Sequence, residues 1–505
     1  MLPIPFVPFK VHENIASISA NTPQPQDSAP QNLAQQIDNL FQVEQPTTQL
    51  EQPTAQLEQH DEPPEVEFDI GDEDDPKSFD QAMKSAQAPL WHKAILEELN
   101  SMAKNGVWTL TDSTSSRKPI GCKWVFKTKR DSQGRVERLK ARLVAKVFTH
   151  REGFDYTDTF SPMSSKDSLR LIMALTAHFD LELHQMDVKT AFLNGDLKED
   201  IFMQQPPGFV ERGKEHCVCK LNKSIYGLIQ ASRQGYLKFD EVVTSFGFIE
   251  NILDDCIYLK VDKSRFIFLV LYVDDILLAS SDFQLLLETK TMLSNSFDMK
   301  DLGEAHYVLG IEIKRNRSRK LLGLSQLNYI NKVLKRFNME ACSPGDLPIG
   351  KGDRPSRDQC PMTEQEQANM KNKPYASLVG SLMYAQVCTR PDLSFALSVL
   401  GRFQANPGEP HWVLAKKMLR YLKKTKSLML MYGHVDNLEL TCYSDSDLAG
   451  CVDDRKSTSG YFFFWLEVRS LGEAKSKIIY LHPLWRLNLL DVLKQLGKDC
   501  GSKFL

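Results

Sequence analysis

The sequence predicts a mixed α+β fold, and three observations carry that expectation. Apolar residues recur at helical spacing in several stretches, among them 88–102 and 411–425. Hairpin patterns with polar turns lie between them. The most hydrophobic run, FIFLVLYVDDILLAS at 266–280, is broken at its centre by two adjacent carboxylates, as two core strands joined by a turn would be.

The elements follow in chain order. Residues 1–76 are rich in Gln, Pro, Thr and Glu, with an imperfect repeat in EQPTTQL and EQPTAQLEQ. They carry too little apolar surface to offset ordering entropy, so they are expected to be a disordered acidic linker. Order is expected to begin at SFDQAMK. Leu90, Trp91, Ala94, Ile95, Leu99 and Met102 then mark one helix face, and Gly106 marks its stop. KWVFKTKR, DSQG and RVERLKARLVAK read as a cationic hairpin over 120–146. SLRLIMALTAHF (168–179) returns to helical spacing. LELHQMDVKTAF (181–192) reads as a strand ending at an acid, then a loop through Asn194 and Gly195, and QQPPG at 204–208 breaks the chain again. The 266–280 run becomes a hairpin whose turn bears Asp274 and Asp275. HYVLGIEIKR (306–315) is a strand pair bent at Gly310. A Pro, Gly and charged stretch at 343–374 marks a boundary before helices at SLVGSLMYAQVC and HWVLAKKMLRYLKKT, and LELTCYSDSDLAG opens a final strand-rich part.

The net charge of −3 conceals a division. Residues 1–76 hold one basic residue, Lys10, and fifteen acids, leaving 61 basic against 50 acidic residues in the rest. A basic body suits a nucleic-acid partner, because Lys and Arg neutralise phosphates; a solvated surface with a modest excess fits equally. No apolar run approaches the ~20 residues that span a bilayer. The opening MLPIPFVPFK lacks the pattern of a secretion signal, so an intracellular protein, cytoplasmic or nuclear, is expected. KRNRSRK at 314–320 is a weak match to a basic import cluster and is expected instead to lie along nucleic acid or solvent. Ten cysteines show no framework spacing. Cys217 and Cys219 with His216 lack the second half of a zinc motif, and they are read as reduced thiols.

Nucleotidyl transfer commonly uses two divalent cations ~3.5–4 Å apart. Magnesium takes oxygen ligands and keeps several waters, so a few carboxylates suffice. Asp274 and Asp275 supply two, and Asp187 is the natural third if its strand pairs with theirs. A lone acid in a loop is otherwise a solvated one.

These words sit in a longer pattern. LYVDD and QMDVKTAFLNG, with KWVFKTKR, RLKARLVAK, DYTDTFSP, QQPPGF, CKLNKSIYGLIQASR, FDMKDLGEAHYVLGIEI, GSLMYAQVCTRPD and YSDSDLAGCVDDRKSTSGY, resemble the polymerase of copia-type long-terminal-repeat retrotransposons in order over roughly residues 90 to 463. The resemblance implies a right-hand polymerase. Fingers, an RRM-like palm and a thumb would occupy 77–342, followed by a linker at 343–374 and a helical connection at 375–437. A partial ribonuclease-H-like α/β domain would cover 438–464, with a divergent tail at 465–505. It further implies RNA-directed DNA synthesis with Mg2+ or Mn2+ on Asp187, Asp274 and Asp275. The implied partners are an RNA template, a DNA primer, their RNA/DNA hybrid and deoxynucleoside triphosphates, with no membrane partner. By the same likeness Phe192 is the steric gate against ribose, although an aromatic there also suits a core. Gln230, Arg142 and Lys127 would contact the incoming nucleotide. Tyr272, Leu309 and Gly310 would position the primer.

Departures from the pattern carry their own expectations. Val147, His150, Ile229 and Gly235 replace the residues usual at those places, and a glycine in place of a buried tryptophan would remove packing worth roughly 3–5 kcal/mol. Asp445 matches the first ribonuclease H aspartate, but the later strand and the helix bearing the glutamate are absent, so hybrid-strand cleavage is not expected. A decayed copy that only binds nucleic acid is the alternative reading.

Overall fold

The computed structural model describes residues 75–112, 119–130, 135–146, 161–197, 199–252, 254–350, 352–434, 439–446 and 450–466. The acidic stretch up to residue 74, Val147, His150 and the tail beyond 466 lie outside the described residues. The chain forms two compact units. Among the described residues, one takes Met163–Val188 and the chain from Gly247 onward, and the other takes the chain up to Pro162 and Lys189–Phe246. The division therefore crosses the 77–342 stretch at three points.

The first unit is built on a six-stranded antiparallel sheet. Its strand order is Met299–Glu304, Glu182–Val188, Asp275–Ser280, Arg265–Tyr272, Asp254–Asp262 and Ile249–Asn251. Phe266 through Leu271 are all buried, which explains why this strand reads as a continuous apolar run without alternation. The helix Phe283–Ser296 packs on the two central strands and buries Leu285, Leu286 and Leu293; the Asp282 carboxylate caps it by accepting from the Leu285 amide. The helix Lys166–Phe179 is capped by Ser165, ends at Asp180 with φ 55°, and is buried at every position from Ser168 to Ala177. Two of its buried polar residues are paired: Ser168 with the buried Asp254, and Arg170 with Asp167.

A second sheet in the same unit orders Tyr307–Val308, Ile311–Asn316, Leu321–Ser325 and Leu430–Gly433. The bend expected at Gly310 is a two-residue turn with Leu309 at φ 51° and Gly310 at φ 72°. The helices Leu327–Arg336, Tyr375–Cys388, Ser394–Gly401 and Glu409–Thr425 share one apolar cluster that includes Ile330, Leu382 and Leu419. The 343–374 boundary is more ordered than its composition suggests. It holds the helix Glu364–Lys371, whose start is fixed by reciprocal Thr363 and Glu366 hydrogen bonds. In the basic cluster, Arg315 pairs with Asp180 at 2.7 Å and Arg317 with Glu182 at 2.7 Å, so these two cations serve the fold. The last strands, Glu439–Ser446 and Ser459–Leu466, pair antiparallel, with Asp445 opposite Gly460.

In the second unit, the helix Ala88–Lys104 buries Trp91, Ala94, Ile95 and Met102 as its spacing predicts. Leu90, expected on that face, is instead 55% exposed, and Glu98 is buried there. Burial raises the Glu98 carboxyl pKa, and the charges of Lys140 and Arg142 oppose the rise without cancelling it. The expected hairpin forms from Gly121–Arg130 and Val136–Lys146. One face buries Cys122, Trp124, Phe126, Leu139, Ala141 and Leu143. Strand alternation puts Lys123, Lys127, Lys140 and Arg142 on the other. A three-stranded sheet of Trp108–Asp112, Cys217–Leu221 and Phe202–Met203, and the helix Ala231–Ser245, complete the unit.

Candidate active site

The strand pairing of the six-stranded sheet sets the positions of the three acids. Asp187 lies directly opposite Asp275, and Asp275 lies opposite Tyr272. Because side chains at directly paired positions share a face, Asp187, Asp275 and Gln185 project to the same side. The expected turn lies one residue earlier than the sequence suggested. Only Val273 and Asp274 form it, and Asp275 is the first residue of its strand. The Asp274 carbonyl accepts the Val188 amide at 2.8 Å, which ties the turn to the end of the Asp187 strand.

Val273 has φ 58°. A β-branched residue in the left-handed region is strained, of order 1–3 kcal/mol, and such strain persists only where its surroundings hold it. Here a two-residue reversal is required between strands whose register is fixed on both sides. The strained turn sets Asp274 next to the Asp187–Asp275 pair.

The electrostatics of the pair are legible. Burial raises the Asp275 pKa, and the Asp187 charge adds to the rise; the Gln185 side-chain amide, donating at 3.0 Å, and the Lys166 charge oppose it. Lys166 was not singled out from the sequence. Its ammonium sits 3.7 Å from the centre of the Tyr272 ring, and burial lowers its pKa to about 8 against the pull of Cys388 and Asp275. The signal available was the SSKDS start of the buried helix, which a cap-oriented reading passes over. Tyr272, Asp275, Gln185, Ser164 and Leu309 line one pocket, so the expected primer-positioning residues Tyr272 and Leu309 meet there. The Leu309 carbonyl accepts from the Tyr384 hydroxyl, which fixes the turn bearing Gly310.

The donor set is all carboxylate, which fits a hard cation such as Mg2+. Direct register and the effect of the Asp187 charge on Asp275 support that fit. The oxygens of all three acids are not gathered within 4.8 Å: among the described residues only Asp112, His216 and Cys217 form a three-residue ligating set that close. The Gln185 side-chain amide donates to the Asp275 carboxylate and orients it.

The expected nucleotide residues lie in the second unit. Phe192, in the short 3-10 turn Ala191–Asn194, is half-buried and meets the Tyr226 ring edge-on, with centroids 5.1 Å apart. The Arg142 guanidinium lies 4.7 Å over that same Tyr226 ring. The Ser224 hydroxyl donates to the Phe192 carbonyl at 2.7 Å, and the turn is pinned. Arg142, Tyr226 and Phe192 therefore form one group, and Tyr226 is the member that sequence reasoning missed. Lys127 lies opposite Lys140 on the same hairpin face. Gln230 is 1% exposed at the start of its helix, so it is the residue of this set that the geometry supports least. The side chain of Asp445 lies outside the described residues. Among the described residues no helix is long and apolar enough to cross a membrane.

Comparison with known proteins narrows the class. Residues 105–351 match the family model of reverse transcriptase (RNA-dependent DNA polymerase). The chain is 46% identical over 395 residues to the retrovirus-related Pol polyprotein from transposon TNT 1-94 of Nicotiana tabacum, covering 78% of this chain and 30% of that one. It is 36% identical over 394 residues to the corresponding polyprotein from transposon RE1 of Arabidopsis thaliana, covering 78% and 26%. A putative transposon Ty5-1 protein of Saccharomyces cerevisiae is 31% identical over 277 residues, which is 55% of this chain and 87% of that one. The chain belongs to the reverse transcriptase family of copia-type retrotransposon Pol polyproteins. It spans less than a third of the length of the tobacco and Arabidopsis polyproteins.

Proposed function

We propose that this chain is an RNA-directed DNA polymerase that extends a DNA primer on an RNA template with deoxynucleoside triphosphates. The observation that carries the reading is the direct pairing of Asp187 with Asp275 beside a strained turn bearing Asp274. In this reading the six-stranded sheet is the palm of a right-hand polymerase, and the cationic hairpin belongs to the fingers. The helical part is the connection, and the last strand pair is a ribonuclease H remnant around Asp445 without cleavage activity.

Asp187, Asp274 and Asp275 would hold Mg2+ or Mn2+. When bound, two such cations supply the charge that lowers the pKa of the primer 3′-hydroxyl and stabilises the departing pyrophosphate. The remaining work falls to side chains of this chain. Gln185 orients Asp275 through its hydrogen bond. Lys166 sets the Tyr272 ring by a cation–π contact, and Tyr272 with Leu309 and Gly310 would seat the primer end. Arg142, stacked on Tyr226, presents a planar cation suited to a triphosphate, with Lys127 nearby on the hairpin face. Phe192, braced by Tyr226 and Ser224, would exclude a 2′-hydroxyl. Gln230 would join the nucleotide contacts only by leaving its buried position.

The spread of the three carboxylates favours a second reading, a nucleic-acid-binding remnant without synthesis. Primer extension by the purified chain, titrated with Mg2+, separates the two. Extension that vanishes in Asp274→Asn while hybrid affinity is kept is the expected outcome. Hybrid binding without extension by the unaltered chain supports the remnant, and extension by Asp274→Asn removes the metal-site assignment.

A further inference from the structure

A second group of ligating side chains lies in the other unit, away from the three acids in sequence. Asp112 ends one strand and pairs in direct register with Cys217, which begins its neighbour. His216 occupies the turn just before that strand, so strand alternation does not turn it to the opposite face. The His216 Nε2 lies 3.2 Å from the Asp112 Oδ1 and 3.6 Å from the Cys217 Sγ, and the Cys217 Sγ lies 3.7 Å from the same Asp112 oxygen.

These separations match a cation's coordination sphere. With Zn–N and Zn–O bonds of about 2.0 Å and Zn–S of about 2.3 Å, tetrahedral angles put donors about 3.3 Å apart, or about 3.5 Å where one is sulfur. The observed triangle agrees with both values within a few tenths of an ångström. The alternative use of Asp, His and Cys, a nucleophilic relay, needs the acid on one ring nitrogen and the thiol on the other. Here the same nitrogen faces both partners, so the three donors converge on a point instead of forming a chain.

The turn is held ready. The Gln205 amide donates to the Lys214 carbonyl at 2.7 Å and to the Cys217 carbonyl at 3.0 Å, while its oxygen accepts the Glu211 amide at 2.9 Å. The Cys217 amide donates to the Lys214 carbonyl at 3.0 Å, and the Glu215 carboxylate accepts the Gly213 amide at 3.0 Å. Backbone on both sides of His216 is thereby fixed. Cys219, the other half of the HCVC motif, is fully buried and takes no part.

We propose that Asp112, His216 and Cys217 bind one borderline-soft divalent cation of the Zn2+ type, with a fourth position open to water. Sulfur and imidazole select such a cation over Mg2+, so the site is chemically separate from the carboxylate pair. Cys217 is a free thiol, as the sequence implies, and its proposed co-ligand Asp112 lies 105 positions away, beyond the reach of a local motif. The bound cation would cross-link the end of the Trp108–Asp112 strand to the 211–217 turn and stabilise the unit.

Cobalt substitution tests this on the full chain, stripped with chelator and kept under reducing conditions. The expected result is one equivalent of Co2+ bound with intense tetrahedral visible absorption and a thiolate-to-cobalt charge-transfer band, both displaced by Zn2+ and not by Mg2+. Cys217→Ser should lose the charge-transfer band, and Asp112→Asn should weaken binding by about tenfold or more. Zn2+ should raise the melting temperature of the unaltered chain and not that of Asp112→Asn, whose metal-free melt serves as the folding control. Weak octahedral absorption, binding without a defined stoichiometry, or a charge-transfer band unchanged in Cys217→Ser would each overturn the site.

Discussion

Asp275 is pulled in two directions by its neighbours. Burial and the Asp187 charge push its pKa up, so the ionised form is costlier in the folded chain than in the unfolded one. A raised carboxylate pKa means the folded state binds more protons as the pH falls through that range. This group therefore lowers stability above its folded pKa, and the cost fades below the unfolded one. Asp275→Asn removes the charge and keeps an oxygen that can accept from Gln185. It is expected to raise the melting temperature of the metal-free chain at neutral pH and to narrow its advantage toward pH 4, while abolishing extension. A variant less stable than the parent at pH 7 would mean that the carboxylate is paired more favourably than the register implies. The three acids themselves were legible in the sequence, because paired carboxylates inside an apolar run need an external reason. Lys166 and Gln185 were not, since a lysine at a helix start and a glutamine in a strand announce nothing until the strands pair.

At the scale of elements, glycines mark where two pieces of backbone meet. Gly227, φ 91°, lies where an added Cβ would come within 2.4 Å of the Ala145 carbonyl oxygen, and the Ala145 amide donates to the Tyr226 carbonyl at 2.8 Å. The loop carrying Tyr226 is thus pressed on the edge of the cationic hairpin carrying Arg142. Gly227→Ala meets both a strained φ and a backbone clash, and is expected to cost about 1–3 kcal/mol in urea melts and to weaken nucleotide affinity as Tyr226 withdraws. Unchanged stability would show that the contact gives way freely. Gly235 fits the same logic. Its Cβ would lie 3.3 Å from the Ala191 carbonyl, so the turn bearing Phe192 sits close against the helix where a tryptophan was expected. Elements with a clear period, such as the 121–146 hairpin and the helices at 166–179 and 409–425, were readable along the chain. The strand Leu430–Gly433 was not. It is four residues long, and its partner Leu321–Ser325 lies over a hundred positions earlier, a pairing that no local pattern encodes.

Across the whole molecule, charge is the property that composition alone conveys. Residues 1–74 carry one lysine and fourteen acids, so without them the net charge changes from −3 to +10. A polyanion tethered to the same chain would compete with phosphates for the cationic hairpin. A chain beginning at Asp75 keeps that residue's hydrogen bonds to the Thr128 amide, at 3.1 and 3.2 Å, so the hairpin should be preserved. Its affinity for an RNA/DNA hybrid is expected to rise severalfold in about 50 mM salt, with a steeper dependence on salt concentration, because more counterions are released from the nucleic acid. The gain should shrink as salt rises and the Debye length falls below about 8 Å. Equal affinities at low salt would show that the acidic segment stays clear of the binding face. A gain that persists at high salt would point to steric occlusion in place of charge competition.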